Sequence, residues 1–303
     1  MKFLRVGKIG KEKPAVIDKL GNVIDISHDV KDFNPESLNS GLIDKIRKKI
    51  DSDAYKSQHP MGKFYASIHG ANSDFRSTDG GSSRIGSCIN KPGKFIGIGL
   101  NYSDHAEETG MKPPKEPIIF FKTDTSVSGP YDNVLIPKNS KKTDWEIELG
   151  IVIGKKAQYI YENESYDHIF GYCIINDISE REFQIERSGQ WDKGKGCDTF
   201  GPIGPLLVTK DEIKDVQNLN LELKLNGKVM QKGNTSKMIF SVKHIVSYLS
   251  QFMTLNPGDI ITTGTPPGVG MAKNPQIFLR SGDFMELSIE NLGVQKQRVI
   301  SLN

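Results

Sequence analysis

Three carboxylates in two short apolar runs are the residues of this chain best suited to chemistry. In Asp144-Trp145-Glu146-Ile147-Glu148-Leu149-Gly150-Ile151-Val152-Ile153, strand alternation puts Ile147, Leu149, Ile151 and Ile153 on one face. Glu146 and Glu148 then share the other face, roughly 7 Å apart along the strand. Two carboxylates on one face of an apolar strand repel each other if both are charged and dehydrated. Solvent, cationic side chains or a metal ion must compensate. Asp177 closes a second apolar run, Tyr172-Cys173-Ile174-Ile175-Asn176. An all-carboxylate set of three suits a hard cation such as Mg2+ or Mn2+, with coordination positions open to water and substrate. The plainer alternative is a solvated sheet face and a turn cap, and spacing alone leaves both open.

Other segments carry weaker signals. His105 and Glu108 lie three apart in Asn101-Tyr102-Ser103-Asp104-His105-Ala106-Glu107-Glu108, so on a helical turn they are neighbours. A carboxylate-oriented His is the usual general base near neutral pH, and an exposed helix with incidental charges is the plainer reading. Lys195 sits in the Gly-rich Lys193-Gly194-Lys195-Gly196-Cys197 loop, which lacks a phosphate-cradling ending. It is either solvated or stabilises negative charge developing on an oxygen. Cys197 could be a nucleophile, although no local signature supports that. Gly97-Ile98-Gly99-Leu100-Asn101-Tyr102 lacks the third glycine of a dinucleotide fingerprint. Gly264-Thr265-Pro266-Pro267-Gly268-Val269-Gly270 is a rigid loop able to offer backbone N–H groups to an anion, or simply a tight connection.

The elements that must position these residues are mostly strands. KFIGIGL, EPIIFFK, WEIELGIVIG and FGYCIIND are short apolar runs bounded by turn residues. LNLELKL and KVMQKG flank an Asn226-Gly227 hairpin turn, and FMELSIE and VQKQRVIS flank Asn291-Leu292-Gly293. One amphipathic helix is predicted from an N-cap at Ser241, with Val242, Ile245, Val246, Leu249, Phe252 and Met253 on its buried face and Asn256-Pro257-Gly258 as its stop. Residues 1–75 read as a small N-terminal α+β domain. It has strands at Phe3–Val6 and Ala15–Ile17, a hairpin around Leu20–Ile24, and a helix near Pro35–Ile50. Residues 76–93 read as a Gly/Ser-rich linker, and residues 94–303 as the catalytic β-rich domain, with no internal repeat. So many strands with so few helices exclude a doubly wound fold and favour a β-rich α+β sandwich or roll.

Composition excludes several classes. A net charge of +3 over 303 residues is too weak for a nucleic-acid binder, and the Lys45–Lys49 run reads as a solvated helix face. Three widely spaced cysteines argue against disulfides and thiolate zinc. No secretory h-region and no apolar run of about 18 residues is present, which points to the cytoplasm and away from a membrane.

The segments KFIGIGLNYSDHAEETG, EPIIFFK, DWEIELGIVIG, GYCIINDISEREFQ, KGCDTFGPIGP, MIFSVKHIVSYLSQFMTLNPGDIITTGTPPGVG and SGDFMELSIENLG together resemble the fumarylacetoacetate hydrolase family, in family order. The start of the chain resembles the small leading domain of its bacterial branch. The resemblance implies a mixed β-sandwich roll and a homodimer. It implies Glu146, Glu148 and Asp177 as ligands of Mg2+ or Mn2+, His105 and Glu108 as a water-activating dyad, and Lys195 at the reacting oxygen. Arg181, Gln184 and Thr265 fall at substrate-contact positions. The implied substrate is a small 2-oxo or 2-hydroxy acid. Hydrolysis of a C–C bond in a β-diketo acid is favoured because the dyad is intact. A lyase acting on ureidoglycolate, an oxaloacetate decarboxylase, a hydroxyheptadienedioate isomerase and a silent 2-oxo acid binder are the alternatives.

Overall fold

The run that carries Glu148 forms a strand, Ile147–Ile153, in which every residue is buried. β-Branched side chains fit a pleated surface covered on both faces, which is how this strand is placed. The computed structural model describes residues 1–38, 40–52, 60–65, 74–77, 84–110 and 112–302.

The strands that matter for the site are numbered in chain order. They are β1 (Lys2–Val6), β2 (Lys13–Ile17), β3 (Asn22–Asp25), β4 (Gly62–Tyr65), β5 (Asp74–Ser77), β6 (Phe95–Gly99), β7 (Ile118–Phe121) and β8 (Val134–Ile136). They continue as β9 (Ile147–Ile153), β10 (Ile169–Asn176), β11 (Leu207–Thr209), β12 (Asn220–Leu225), β13 (Lys228–Asn234), β14 (Ile260–Thr262), β15 (Phe284–Ile289) and β16 (Gly293–Ser301). An 11-stranded sheet runs in the order β5-β4-β3-β2-β1-β11-β10-β9-β14-β6-β7, and a 5-stranded sheet in the order β13-β12-β15-β16-β8. The first strands thus extend the same sheet that carries the acidic residues, joined where Lys2 and Phe3 pair with Val208 and Leu207.

Two cores flank the large sheet. Ile147, Leu149, Ile151 and Ile153 pack with Leu221, Leu223, Met285, Leu287 and Ile289 of the smaller sheet. On the opposite face Val152 joins Phe3, Phe33, Phe170 and Ile175. The mixed, strand-rich roll expected from the sequence is the fold observed.

The helices differ in detail. The first, α1 (Ser40–Asp51), starts later than Pro35 because Asn34 accepts from the Ser37 and Leu38 amides and closes a turn first. The predicted 241–253 helix is α3 (Val242–Ser250), and the Ser241 side chain accepts from His244 N as expected. It ends before Phe252 because the chain turns to make Leu255 pair with Ala157 in both directions at 2.9 Å. Phe252 is therefore 62% exposed and not on the buried face. The Asn226-Gly227 turn forms with both residues at positive φ, 51° and 80°, the geometry an Asn-Gly hairpin favours. Of the expected linker, residues 78–83 lie outside the described residues.

Leu149 has no exposed surface and sits between the sheets. Leu149→Ala is expected to cost about 2–5 kcal/mol of stability, read from the midpoint shift in chemical denaturation.

Candidate active site

Antiparallel pairing brings the acidic residues together. Ile147 opposes Asn176, so the start of β9 and the end of β10 meet. The residues flanking that pair, Glu146 and Asp177, are then adjacent, and Asp177 N donates to Glu146 O at 2.8 Å. Glu148 follows one strand step later. One carboxylate oxygen from each of Glu146, Glu148 and Asp177 lies within 4.8 Å of the others. Exposures of 6%, 1% and 0% rule out the solvated-face reading.

Three buried cations compensate this charge. Lys195 Nζ reaches Glu146 Oε2 at 2.6 Å and Asp177 Oδ2 at 2.5 Å. Its helical turn, Asp192–Lys195, brings it in from the Gly-rich loop. Lys122 Nζ donates to Asp177 Oδ1 at 2.6 Å and to the Lys195 carbonyl at 2.5 Å. Arg181 uses all three guanidinium nitrogens: Nε to Asp144 at 2.9 Å, Nη2 to Glu146 at 2.6 Å, and Nη1 to Gln184 at 3.0 Å. Charge-assisted bonds of this kind make a buried carboxylate cluster tolerable.

Glu148 is held differently. Its Oε2 accepts from the Thr262 hydroxyl and, at 2.7 Å, from Gly264 N. Gly264 adopts φ +91°, and a Cβ there would stand 2.7 Å from Asn101 Cβ, so glycine is required for the loop to approach this closely. Glu148 Oε1 takes no protein donor among the described residues. Burial, with Asp177 and Glu146 nearby, pushes the Glu148 carboxyl well above the usual carboxylate range. For Glu146 burial acts the same way, but Lys195 and Arg181 outweigh it and hold that carboxyl low. Burial opposes the charge on Lys195, yet Asp177 and Glu146 raise its pKa. The two glutamates thus differ because only Glu146 is directly ion-paired.

The other expected residues are linked to this cluster through the Gly264–Gly270 loop. His105 and Glu108 lie on α2 (Ser103–Thr109), with His105 Nδ1 3.3 Å from Glu108 Oε2. Glu108 Oε2 also accepts from Gly268 N at 2.9 Å, which ties α2 to the Gly264–Gly270 loop. Thr265 of that loop donates to Ile147 O at 2.9 Å and accepts from Gln231. Burial pushes the Cys197 thiol up to about 11, so it is no ready thiolate nucleophile.

Several contributors escaped the sequence reading. Lys122 ends the apolar IIFF strand and Asp144 opens the acidic segment; a lone charge at the edge of an apolar run was the available signal. Asp144 accepts from Gly270 N at 2.7 Å and Met271 N at 3.0 Å as well as from Arg181. Behind the cluster runs a chain of buried amides. Asn176 Oδ1 accepts from Glu146 N at 3.2 Å, and its Nδ2 donates to Gln297 Oε1 at 3.2 Å. Gln297 Nε2 in turn donates to Gln295 Oε1 at 2.9 Å and Pro130 O at 2.8 Å. Gln295 and Gln297, both fully buried on β16, belong to this network.

Residues 94–300 match the family model described as fumarylacetoacetate (FAA) hydrolase C-terminal. The chain belongs to the fumarylacetoacetate hydrolase family. It is 50% identical over 299 residues, 98% of each chain, to a Burkholderia orbicola protein named "putative hydrolase". Among solved structures it is similar to fumarylacetoacetate hydrolase from Exiguobacterium antarcticum, with TM-score 0.77, 29% identity and 100% of both chains covered. It is also similar to 2-hydroxyhepta-2,4-diene-1,7-dioate isomerase from Mycobacterium marinum, with TM-score 0.70, 29% identity, and 99% and 98% of the chains covered.

Gln297→Leu removes the amide oxygen that accepts from Asn176 Nδ2 and the amide donor to Gln295 Oε1 in a fully buried place. A stability loss of about 1–3 kcal/mol is expected, measured by urea denaturation against wild type.

Proposed function

We propose that the protein is a divalent-metal-dependent hydrolase that cleaves a C–C bond in a small β-diketo acid. The observation that carries this reading is the buried oxygen cluster of Glu146, Glu148 and Asp177. Its donor set fits Mg2+ or Mn2+: all oxygen, no Cys or His, and with Glu148 Oε1 not engaged by a protein donor among the described residues. Four carboxylates, counting Asp144, face three cations here. A divalent ion reverses that balance and leaves a positive site that an acid substrate would neutralise.

A divalent cation bound by these three carboxylates would supply Lewis-acid polarisation of the acid's oxygens. The protein's own groups do the rest. With Nδ1 turned to Glu108, proton exchange falls to His105 Nε2, and the dyad takes a proton from water. The resulting hydroxide attacks the far carbonyl of the diketo acid. The C3–C4 bond breaks, the acyl part leaves as a carboxylic acid, and its electron pair passes into the 2-oxo fragment as an enolate. The Lys195 ammonium stabilises charge on that enolate oxygen until C3 is protonated. Arg181, Gln184 and Thr265 are assigned to the walls that orient the substrate.

The second reading is isomerisation or decarboxylation, which needs the same enolate but no attacking water. The likeness to an isomerase favours it, and the His105–Glu108 pair favours hydrolysis. A silent binder has no use for the dyad. Purified protein with Mg2+ or Mn2+ is tested against acylpyruvates, diketo-deoxy sugar acids, oxaloacetate and ureidoglycolate. Turnover of a diketo acid is expected, and turnover of the others alone would sink the hydrolase assignment.

Lys195→Met on the best substrate then probes the charge step. Loss of one electrostatic donor costs about 10²–10³ in rate, while inhibition by oxalate should weaken much less. Such an interaction strengthens in the transition state, so it appears in kcat more than in inhibitor affinity. Equal losses in both would make Lys195 a binding residue.

A further inference from the structure

Tyr102 stands out among the buried side chains. It has no exposed surface, and its hydroxyl is the buried side-chain polar atom that has no hydrogen-bond partner among the described residues. Leaving a buried donor unmade is costly. A phenylalanine would fill the same space without that cost. The hydroxyl therefore points to a partner that the described residues do not supply.

Its position says what that partner would be. Tyr102 lies between β6 and α2, three residues before His105. Its neighbour Asn101 donates to Thr263 O at 2.8 Å and to Phe240 O at 3.0 Å, and accepts from Phe240 N at 2.7 Å. Those bonds fix this stretch against the Thr262–Gly264 segment that cradles Glu148. The two charges that act on the Tyr102 hydroxyl are Glu148 and Asp104. Burial and these carboxylates keep the phenol protonated, so it can donate but not carry charge. A neutral donor held near a carboxylate ligand site suits one kind of acceptor: an anionic oxygen of something bound there.

We infer that the Tyr102 hydroxyl donates a hydrogen bond to a carboxylate or oxo oxygen of the acid bound beside Glu148, making it a substrate-binding residue. The inference rests on the proposed function, because it takes the bound species to be a small acid. Tyr102 would share the acid's oxygens with the cation and add directional selection for planar carboxylates.

The test is Tyr102→Phe, with oxalate as the probe and Mn2+ as the metal. Melting temperature, Mn2+ affinity by calorimetry and oxalate affinity of the Mn2+-loaded protein are measured for both proteins. Removing a donor to a charged oxygen should weaken oxalate about tenfold or more. Mn2+ affinity should stay within about twofold, since the hydroxyl is not assigned as a ligand. Melting temperature should stay level or rise, because no protein bond is lost. Unchanged oxalate affinity overturns the inference. A fall in melting temperature does so too, because the hydroxyl then has a protein partner. The control separates the two readings: wild type that takes up Mn2+ but no oxalate defeats the acid-binding function itself.

Discussion

The structure is organised around the cost of burying negative charge. Glu146, Glu148 and Asp177 are withdrawn from water at the junction of two central strands, where isolated carboxylates would cost several kcal/mol each. What makes the position tolerable is a shell of opposite charge and amide donors: Lys195, Lys122 and Arg181 on two of the acids, Thr262 and Gly264 N on the third. Lys195 bridges Glu146 and Asp177, and each of these carboxylates shares it with a second cation, so the shell is interdependent.

That shell dictates much of the surrounding fold. Lys122 must end β7, Lys195 must arrive on its own helical turn, and Arg181 must follow β10 closely enough to meet both Asp144 and Glu146. Gly264 must be glycine for the 262–264 segment to lie over Asn101 and offer its N–H to Glu148. The smaller sheet contributes as well: Gln297 accepts from Asn176 of β10, whose Oδ1 in turn accepts from Glu146 N. The groups that orient these carboxylates come from both sheets.

Much of this was legible in the sequence because the signals were local. Alternation in 146–153 fixed which residues face the smaller sheet, and the Asn226-Gly227 dipeptide fixed a hairpin. The acidic residues stood out as charges on apolar strands. Legibility ended where an element's fate depended on distant partners. The end of α3 was misjudged because Leu255 prefers to pair with Ala157, a contact invisible from periodicity. Lys122 and Asp144 were passed over because a single charge beside an apolar run looks the same whether it meets water or a buried carboxylate. The amide chain behind Asn176 is the same case, since its meaning appears only when β16 and β10 are brought together.

The central claim is that the three carboxylates hold a divalent cation, and Glu148, with one oxygen free of protein donors among the described residues, tests it most directly. Calorimetric titration with Mn2+ is compared for wild type and Glu148→Gln, with melting curves as the check on folding. One ion per chain in wild type and an affinity at least about tenfold weaker in the folded variant is the expected result. Equal affinity in both proteins, or no uptake of Mn2+ by wild type, would contradict it.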